Sequence, residues 1–228
     1  MKIVKMKRQS EDWLRARAGI PTASEFSNLV TPLWKIRTGD MVATYLHKKL
    51  AERWIGGHLP STYGGGALEQ GTLREPKAIR WYEHRTHRDL LPIPDDQTWF
   101  ATSDDGRMGC TPDGMLDDGS GLEIKCPDLH THCGYLLDGE LPEQYRAQVQ
   151  GSMLVTGAKS WGFLSFCPKF PPLLLTVARD EKAMEALAAA LQAFNDRLDE
   201  GFERLVELND GLPASAPAEE KEVLYGIV

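Results

Sequence analysis

Asp113, Glu123 and Lys125 are the residues whose types and spacing most directly suggest chemistry. They lie in a stretch that begins Gly109-Cys110-Thr111-Pro112-Asp113-Gly114-Met115-Leu116. It continues Asp117-Asp118-Gly119-Ser120-Gly121 and ends Leu122-Glu123-Ile124-Lys125-Cys126-Pro127. The central Asp/Gly/Ser run is turn chemistry, and strands on either side of such a turn form a hairpin. Strand side chains alternate faces, so Glu123 and Lys125 share one face and Ile124 takes the other. Folding the hairpin can bring Asp113 beside that face. Two carboxylates and an ammonium in one place could hold a hard divalent cation and leave an amine near its water. The same residues also suit a solvated surface hairpin, because Asp and Gly are common in turns.

The elements that must position these residues can be read along the chain. Glu11 to Gly19 predicts a short helix ended by glycine. Thr22 with Glu25 three residues on is a capping-box pattern, and predicts a second helix that carries Phe26, Leu29 and Val30 inward. The positive end of that helix, with Ser24 and Arg17 nearby, could receive a phosphate. An ordinary cap and a solvated arginine are the plainer reading of those residues alone. Residues 39–54 have helical spacing through Met41, Leu46, Leu50 and Trp54, read as core positions. The glycine run Tyr63-Gly64-Gly65-Gly66 lacks the Gly-Lys-Ser/Thr ending of a nucleotide-binding loop. Ala67 to His84 reads as helix, with Pro76 either opening its main part or kinking it. Glu75 then stands near a helix end, where a third acid could reach a metal.

Leu90 to Cys126 reads as strands, and Asp128 to Gly139 as a polar loop. Pro142 to Thr156 reads as a helix that carries Tyr145 and Gln148. Trp161 to Cys167 and Leu173 to Val177 read as strands, Asp180 to Leu208 as a long helix, and 211–228 as a flexible linker and tail. The alternation implies an α/β fold with a sheet flanked by helices. Residues 1–210 are expected to form a single domain.

With 42% hydrophobic and 26% charged residues, the composition is that of a soluble globular protein. No apolar run approaches a membrane span, and the basic start has no apolar signal core, so a cytoplasmic location is expected. The net charge is −7. Its distribution matters more than its sum. Residues 179–228 hold 12 acids and 5 bases, whereas the first 17 residues hold six bases and two acids. A nucleic-acid surface is therefore compatible with an acidic protein. The four cysteines, Cys110, Cys126, Cys133 and Cys167, are expected to be reduced thiols. His130-Thr131-His132-Cys133 matches no common zinc spacing.

Pro112-Asp113 followed by Glu123-Ile124-Lys125 resembles the PD-(D/E)xK nuclease signature. Three further signals stand in order around it. They are Trp13-x3-Arg17-x-Gly19-x2-Thr22-Ala23-Ser24, then Gly71-x3-Glu75-Pro76-x-Ala78-x3-Tyr82, and finally Gln148-x-Gln150 on a helix. Together they are similar to the bacteriophage lambda exonuclease type of viral recombination nuclease, over roughly residues 10–200.

That resemblance implies a restriction-endonuclease-like core, a mixed central β-sheet flanked by helices. It implies a Mg²⁺-dependent enzyme, with two ions and with Mn²⁺ able to substitute. Such an enzyme processively digests one strand of linear duplex DNA from its 5′-phosphorylated end, releasing mononucleotides. It leaves a 3′ single strand for an annealing protein and works as a homotrimeric ring. Asp113, Glu123 and the Ile124 carbonyl then match the metal ligands, Glu75 the acid serving a second ion, and Lys125 the lysine at the attacking water. Arg17, Ser24, Thr111 and Gln148 match a 5′-phosphate pocket. Thr111 retains the hydroxyl of a family serine. Leu68 matches a wedge between bases, and Tyr145 lies on the same active-site helix. A lysine that accepts a proton must first have its pKa lowered. Pro76 after Glu75 is a departure from the pattern, and the cysteines do not match the iron–sulfur set of some relatives. Two alternatives are a DNA-end-binding scaffold with a decayed site and a PD-(D/E)xK endonuclease, which would also cut closed-circular DNA.

Overall fold

The computed structural model describes residues 1–59 and 66–212, with only the backbone described for 66–73. The elements run β1 (Lys2–Lys7), α1 (Glu11–Arg17), a 3₁₀ helix (Ala23–Asn28), α2 (Asp40–Ile55) and α3 (Gly66–Thr86). Strands β2 (Gln97–Thr102), β3 (Gly109–Cys110), β4 (Gly114–Met115) and β5 (Gly121–Lys125) follow. The chain continues with α4 (Leu129–Asp138), α5 (Glu143–Thr156), β6 (Ser160–Ser165), β7 (Leu173–Ala178) and α6 (Glu181–Leu208).

The strands form two ladders, β1-β2-β3 and β4-β5-β6-β7. The expected mixed sheet is present, but it is interrupted between β3 and β4. Pro112 lies at that interruption and has no N–H to give a ladder. All pairings are antiparallel except β5 with β6, whose register sets Glu123 beside Phe163 and Lys125 beside Ser165. Parallel neighbours need a long crossover, and α4 and α5 supply it.

Alternation on β5 sorts the core into two layers. Leu122 and Ile124 pack with Leu164 against Ala78 and Tyr82 of α3. On the other side Trp161 and Phe163 pack with Val149 and Met153 of α5 and with Ala183 and Met184 of α6. Glu123 faces this second layer. Gly121 permits it: a Cβ there would fall inside the Trp161 indole.

Three local expectations need correction. The residues after Thr22 form a 3₁₀ helix, and the Thr22 side chain makes no cap bond. Glu25, the other half of the anticipated capping box, is drawn instead to Lys48 (2.7 Å) and Lys49 (3.1 Å). Phe26, Leu29 and Val30 are nonetheless buried. Met41 is 49% exposed, because the buried stripe of α2 runs through Val42, Tyr45, Leu46, Lys49 and Leu50. Finally, Asp128 to Gly139 is not a loop. Asp128 caps α4 by accepting the Thr131 N–H, and Gly139 ends it in the left-handed region. His130 projects to solvent, whereas His132 is buried between the Ser165 hydroxyl (2.7 Å) and the Pro171 carbonyl (3.0 Å). The glycine run at 63–65 and the tail from 213 lie outside the described residues.

A buried ionic network ties α1 and the 3₁₀ helix to α2. Lys49, 1% exposed, lies between Glu25 and Glu52. Glu52 Oε2 also accepts the Gly19 N–H (3.0 Å), and the Gly19 carbonyl accepts Arg53 Nε (2.9 Å). Gly19 has φ +70, and a Cβ there would enter the Arg53 side chain. Burial opposes ionisation of Glu25, but the charges of Lys49 and Lys48 prevail and hold its pKa down at about 2.

Two stability predictions follow from this architecture. Gly121→Ala should lower unfolding free energy in urea by about 1–3 kcal/mol, because the indole must move. Glu25 has a depressed folded pKa, so its contribution is complete above the ordinary value of 4.5 and is lost as pH falls toward 2. Glu25→Gln should therefore destabilise the protein at pH 6–7 by at most roughly 3 kcal/mol and flatten the acid limb of a melting-temperature profile.

Candidate active site

The hairpin delivers the predicted acids and lysine to one place. Asp113 precedes β4, and its N–H donates to the Leu122 carbonyl, extending the β4–β5 pairing (3.1 Å). Its Oδ2 accepts the Ile124 N–H at 2.7 Å. On β5, Lys125 Nζ lies 2.5 Å from Glu123 Oε1, and Gln148 Nε2 donates to the same oxygen at 2.5 Å. The Lys125 ammonium also sits 5.0 Å from the centre of the Tyr145 ring, a cation–π contact. Tyr145 in turn packs on Phe163 (5.4 Å) and edge-on to Tyr135 of α4 (6.2 Å).

Glu75 reaches the same region from α3. That helix runs unbroken from Gly66 to Thr86 with Pro76 inside it, so the alternative of a fresh helix start at Pro76 does not hold. Glu75 is paired with Arg8, whose other terminal nitrogen lies 3.6 Å from Asp113 Oδ1. Nothing in the local sequence around Arg8 marks it for this site. The available signal was the excess of bases before α1.

Burial and crowding set the charges. Glu123, 2% exposed, has its pKa pushed up to about 7 by burial first and by Asp113 second, against the pull of Lys125 and Gln148. Burial also raises Asp113, opposed by Lys125, the Ile124 N–H and Arg8. Glu75 is raised by burial and then by Asp113. For Lys125, burial favours the neutral amine, but Glu123 and Asp113 together outweigh it and raise the pKa. The lysine is thus a firm ammonium here, contrary to the lowered value required of a proton acceptor.

These are oxygen donors with buried negative charge only partly offset, which is the chemistry that suits a hard dication. Among the described residues, no three His, Cys, Asp or Glu side chains stand together as a metal-holding group. Each acid is separately engaged: Glu75 by Arg8, Asp113 by the Ile124 N–H and Arg8, Glu123 by Lys125 and Gln148. The donor set fits such an ion once these contacts yield.

A second cluster adjoins the first. Arg17 Nη1 donates to the Thr111 hydroxyl (2.5 Å), and Nη2 reaches the hydroxyls of Thr22 and Ser24 (both 3.4 Å). The guanidinium lies 4.6 Å from the Trp13 ring centre, and burial lowers its pKa although Glu25 and Tyr45 oppose this. Arg17, Ser24 and Thr111 are therefore brought together. Gln148 joins the acidic face instead of this cluster. The side chain of Leu68 lies outside the described residues.

No helix among the described residues is long and apolar enough to cross a membrane. No curated protein sequence matches the chain. The fold is similar to that of an alkaline exonuclease (LHK-Exo) from Laribacter hongkongensis, with TM-score 0.76, 23% identity, and coverage of 88% of this chain and 98% of that one. The same enzyme in complex with dAMP gives TM-score 0.77, 24% identity and the same coverage. A phage-related exonuclease from Haemophilus somnus 129PT gives TM-score 0.64 at 11% identity, covering 82% of this chain and 96% of that one. These likenesses establish the fold, the one anticipated from the hairpin and its surrounding motifs. A family model described as a YqaJ-like viral recombinase domain matches residues 12–159, from Trp13's helix through the whole acidic hairpin and α5. The chain belongs to the YqaJ-like viral recombinase family.

Proposed function

We propose that the chain is a Mg²⁺-dependent exonuclease. It digests one strand of linear duplex DNA from its 5′ end, releases mononucleotides and leaves a 3′ single strand for an annealing protein. The observation that carries this reading is the link Thr111-Pro112-Asp113. Thr111 accepts from Arg17, and two residues on Asp113 belongs to the acidic face. Two residues of chain span at most about 7 Å, so the hydroxyl cluster and the acidic face are held close to each other. That is the scale of one nucleotide unit. A terminal phosphate held by Arg17, Ser24 and Thr111 brings the next phosphodiester to the carboxylates, which supports mononucleotide release and a start at a 5′-phosphorylated end.

Divalent ions held by Asp113, Glu123, the Ile124 carbonyl and, for a second ion, Glu75 would neutralise the phosphodiester and lower the pKa of a bound water; Mn²⁺ can substitute. Lys125, steadied by the Tyr145 ring, positions that water with its ammonium. Gln148 fixes the carboxylate of Glu123. Leu68 is read as the wedge that parts the terminal base pair. Residues 1–210 act as one nuclease domain followed by a tail. Processive digestion by a homotrimeric ring in the cytoplasm, coupled to an annealing partner, completes the reading. A scaffold that merely binds ends has no use for buried carboxylates whose burial opposes their ionisation, and this favours catalysis.

Linear duplex labelled at either end, incubated with and without Mg²⁺, tests the proposal. Release from 5′ ends alone, with Mg²⁺ alone, is expected, and closed-circular plasmid should remain intact. Equal loss from 3′ ends, or release in EDTA, contradicts it. Lys125→Ala should reduce turnover at least about 100-fold while DNA binding persists. Arg17→Ala should erase the preference for 5′-phosphorylated over 5′-hydroxyl ends, by about tenfold or more.

A further inference from the structure

Arg8 has no part in the functional reading above, yet it contacts two of the proposed ligands. The chain turns sharply as it leaves β1: the Ser10 N–H donates to the Lys7 carbonyl (3.1 Å). Gln9, inside that turn, has φ +60, a conformation that non-glycine residues adopt only when their surroundings impose it. The Arg8 N–H donates to the Asp96 carbonyl (2.9 Å), which fixes the backbone further. From this anchored position the guanidinium reaches acids of two other segments. Nη1 pairs with Glu75 of α3, and Nη2 lies 3.6 Å from Asp113 before β4. All three side chains are largely covered, at 30%, 24% and 16% exposure.

A guanidinium is planar, permanently charged and able to engage two carboxylates with separate prongs. The oxygens it engages are ones that a hard dication would take. We infer that Arg8 is the built-in counter-cation of the metal-free site: it holds Glu75 and Asp113 in place of a divalent ion and yields them when the ion binds. The inference rests on the metal-dependent function proposed above. Its physical basis is competition. Two carboxylates converging from separate elements repel unless a cation lies between them, and Arg8 supplies one that needs no solute. Metal binding must then break the Arg8 contacts, so Arg8 stabilises the empty site and weakens the apparent affinity for the ion.

The test is calorimetric titration of Mg²⁺ into the DNA-free full chain at pH 8.5, where carboxylate protonation does not compete. A partly exposed ion pair corresponds to a change of about three- to tenfold in a dissociation constant. Arg8→Gln should therefore bind Mg²⁺ about three- to tenfold more tightly than the wild type and should melt at a lower temperature in EDTA. Equal or weaker Mg²⁺ binding by a folded Arg8→Gln overturns the inference. Should that variant not fold, Arg8→Lys carries the test. A single ammonium spans the two acids less well than a fork. Tighter Mg²⁺ binding than the wild type supports the inference, and unchanged or weaker binding overturns it. Asp113→Asn separates the two levels. If the wild-type binding heat survives that substitution in full, the metal reading fails and the inference falls with it. If Asp113→Asn abolishes the heat while Arg8→Gln leaves it unchanged, only the Arg8 inference fails.

Discussion

The burial of Glu123 on the α5 side of β5 is the constraint on which the rest of the site depends. An ionised carboxylate at 2% exposure is expensive to desolvate, and its pKa is pushed up to about 7. Asp113 adds a second negative charge to the same face. The protein meets this with single contacts from several directions: Lys125 from the same strand, Gln148 from α5, Arg8 from the end of β1 and the Ile124 N–H from the backbone. No one of them neutralises the group completely. What results is a buried acidic cluster whose negative charge is only partly offset.

The fold makes that burial possible. Parallel pairing of β5 with β6 puts Glu123 beside Phe163 and under α5, in an otherwise apolar layer. The interruption at Pro112 is equally important. It ends the pairing of β3 with β2, and beyond it Asp113 joins β5 through its N–H and turns its side chain to the Ile124 N–H. At the other end of the link, Thr111 meets Arg17, whose helix is locked to α2 through Gly19, Glu52 and Arg53. The ionic network around Lys49 joins the hydroxyl cluster through Glu25, whose Oε2 accepts from the Thr22 hydroxyl at 3.4 Å.

Much of this was legible in the sequence because it depends on local rules. Strand alternation was enough to put Glu123 and Lys125 on one face, and turn chemistry was enough to make the hairpin. What escaped was long-range or competitive. Arg8 is 67 residues from Glu75, and nothing local announces their pairing. Thr22 and Glu25 have the spacing of a capping box, but Lys48 and Lys49 compete successfully for the carboxylate. The α4 segment looked like a loop because its histidines and glycine mask its helical character. The decisive features were its cap at Asp128 and the burial of His132 against the turn after β6. Lys125 presents the same lesson in electrostatic form: burial alone predicts a lowered pKa, and only the assembled carboxylates reverse its direction.

The central claim is that β5 and the residue before β4 build a seat for a divalent cation. Anomalous diffraction from crystals of the full chain grown with Mn²⁺ tests it most directly. The account predicts an anomalous peak within coordination distance of the Asp113 and Glu123 carboxylates, lost in Glu123→Gln. Fully occupied Mn²⁺ elsewhere in the molecule, with no peak at those two carboxylates, would contradict it.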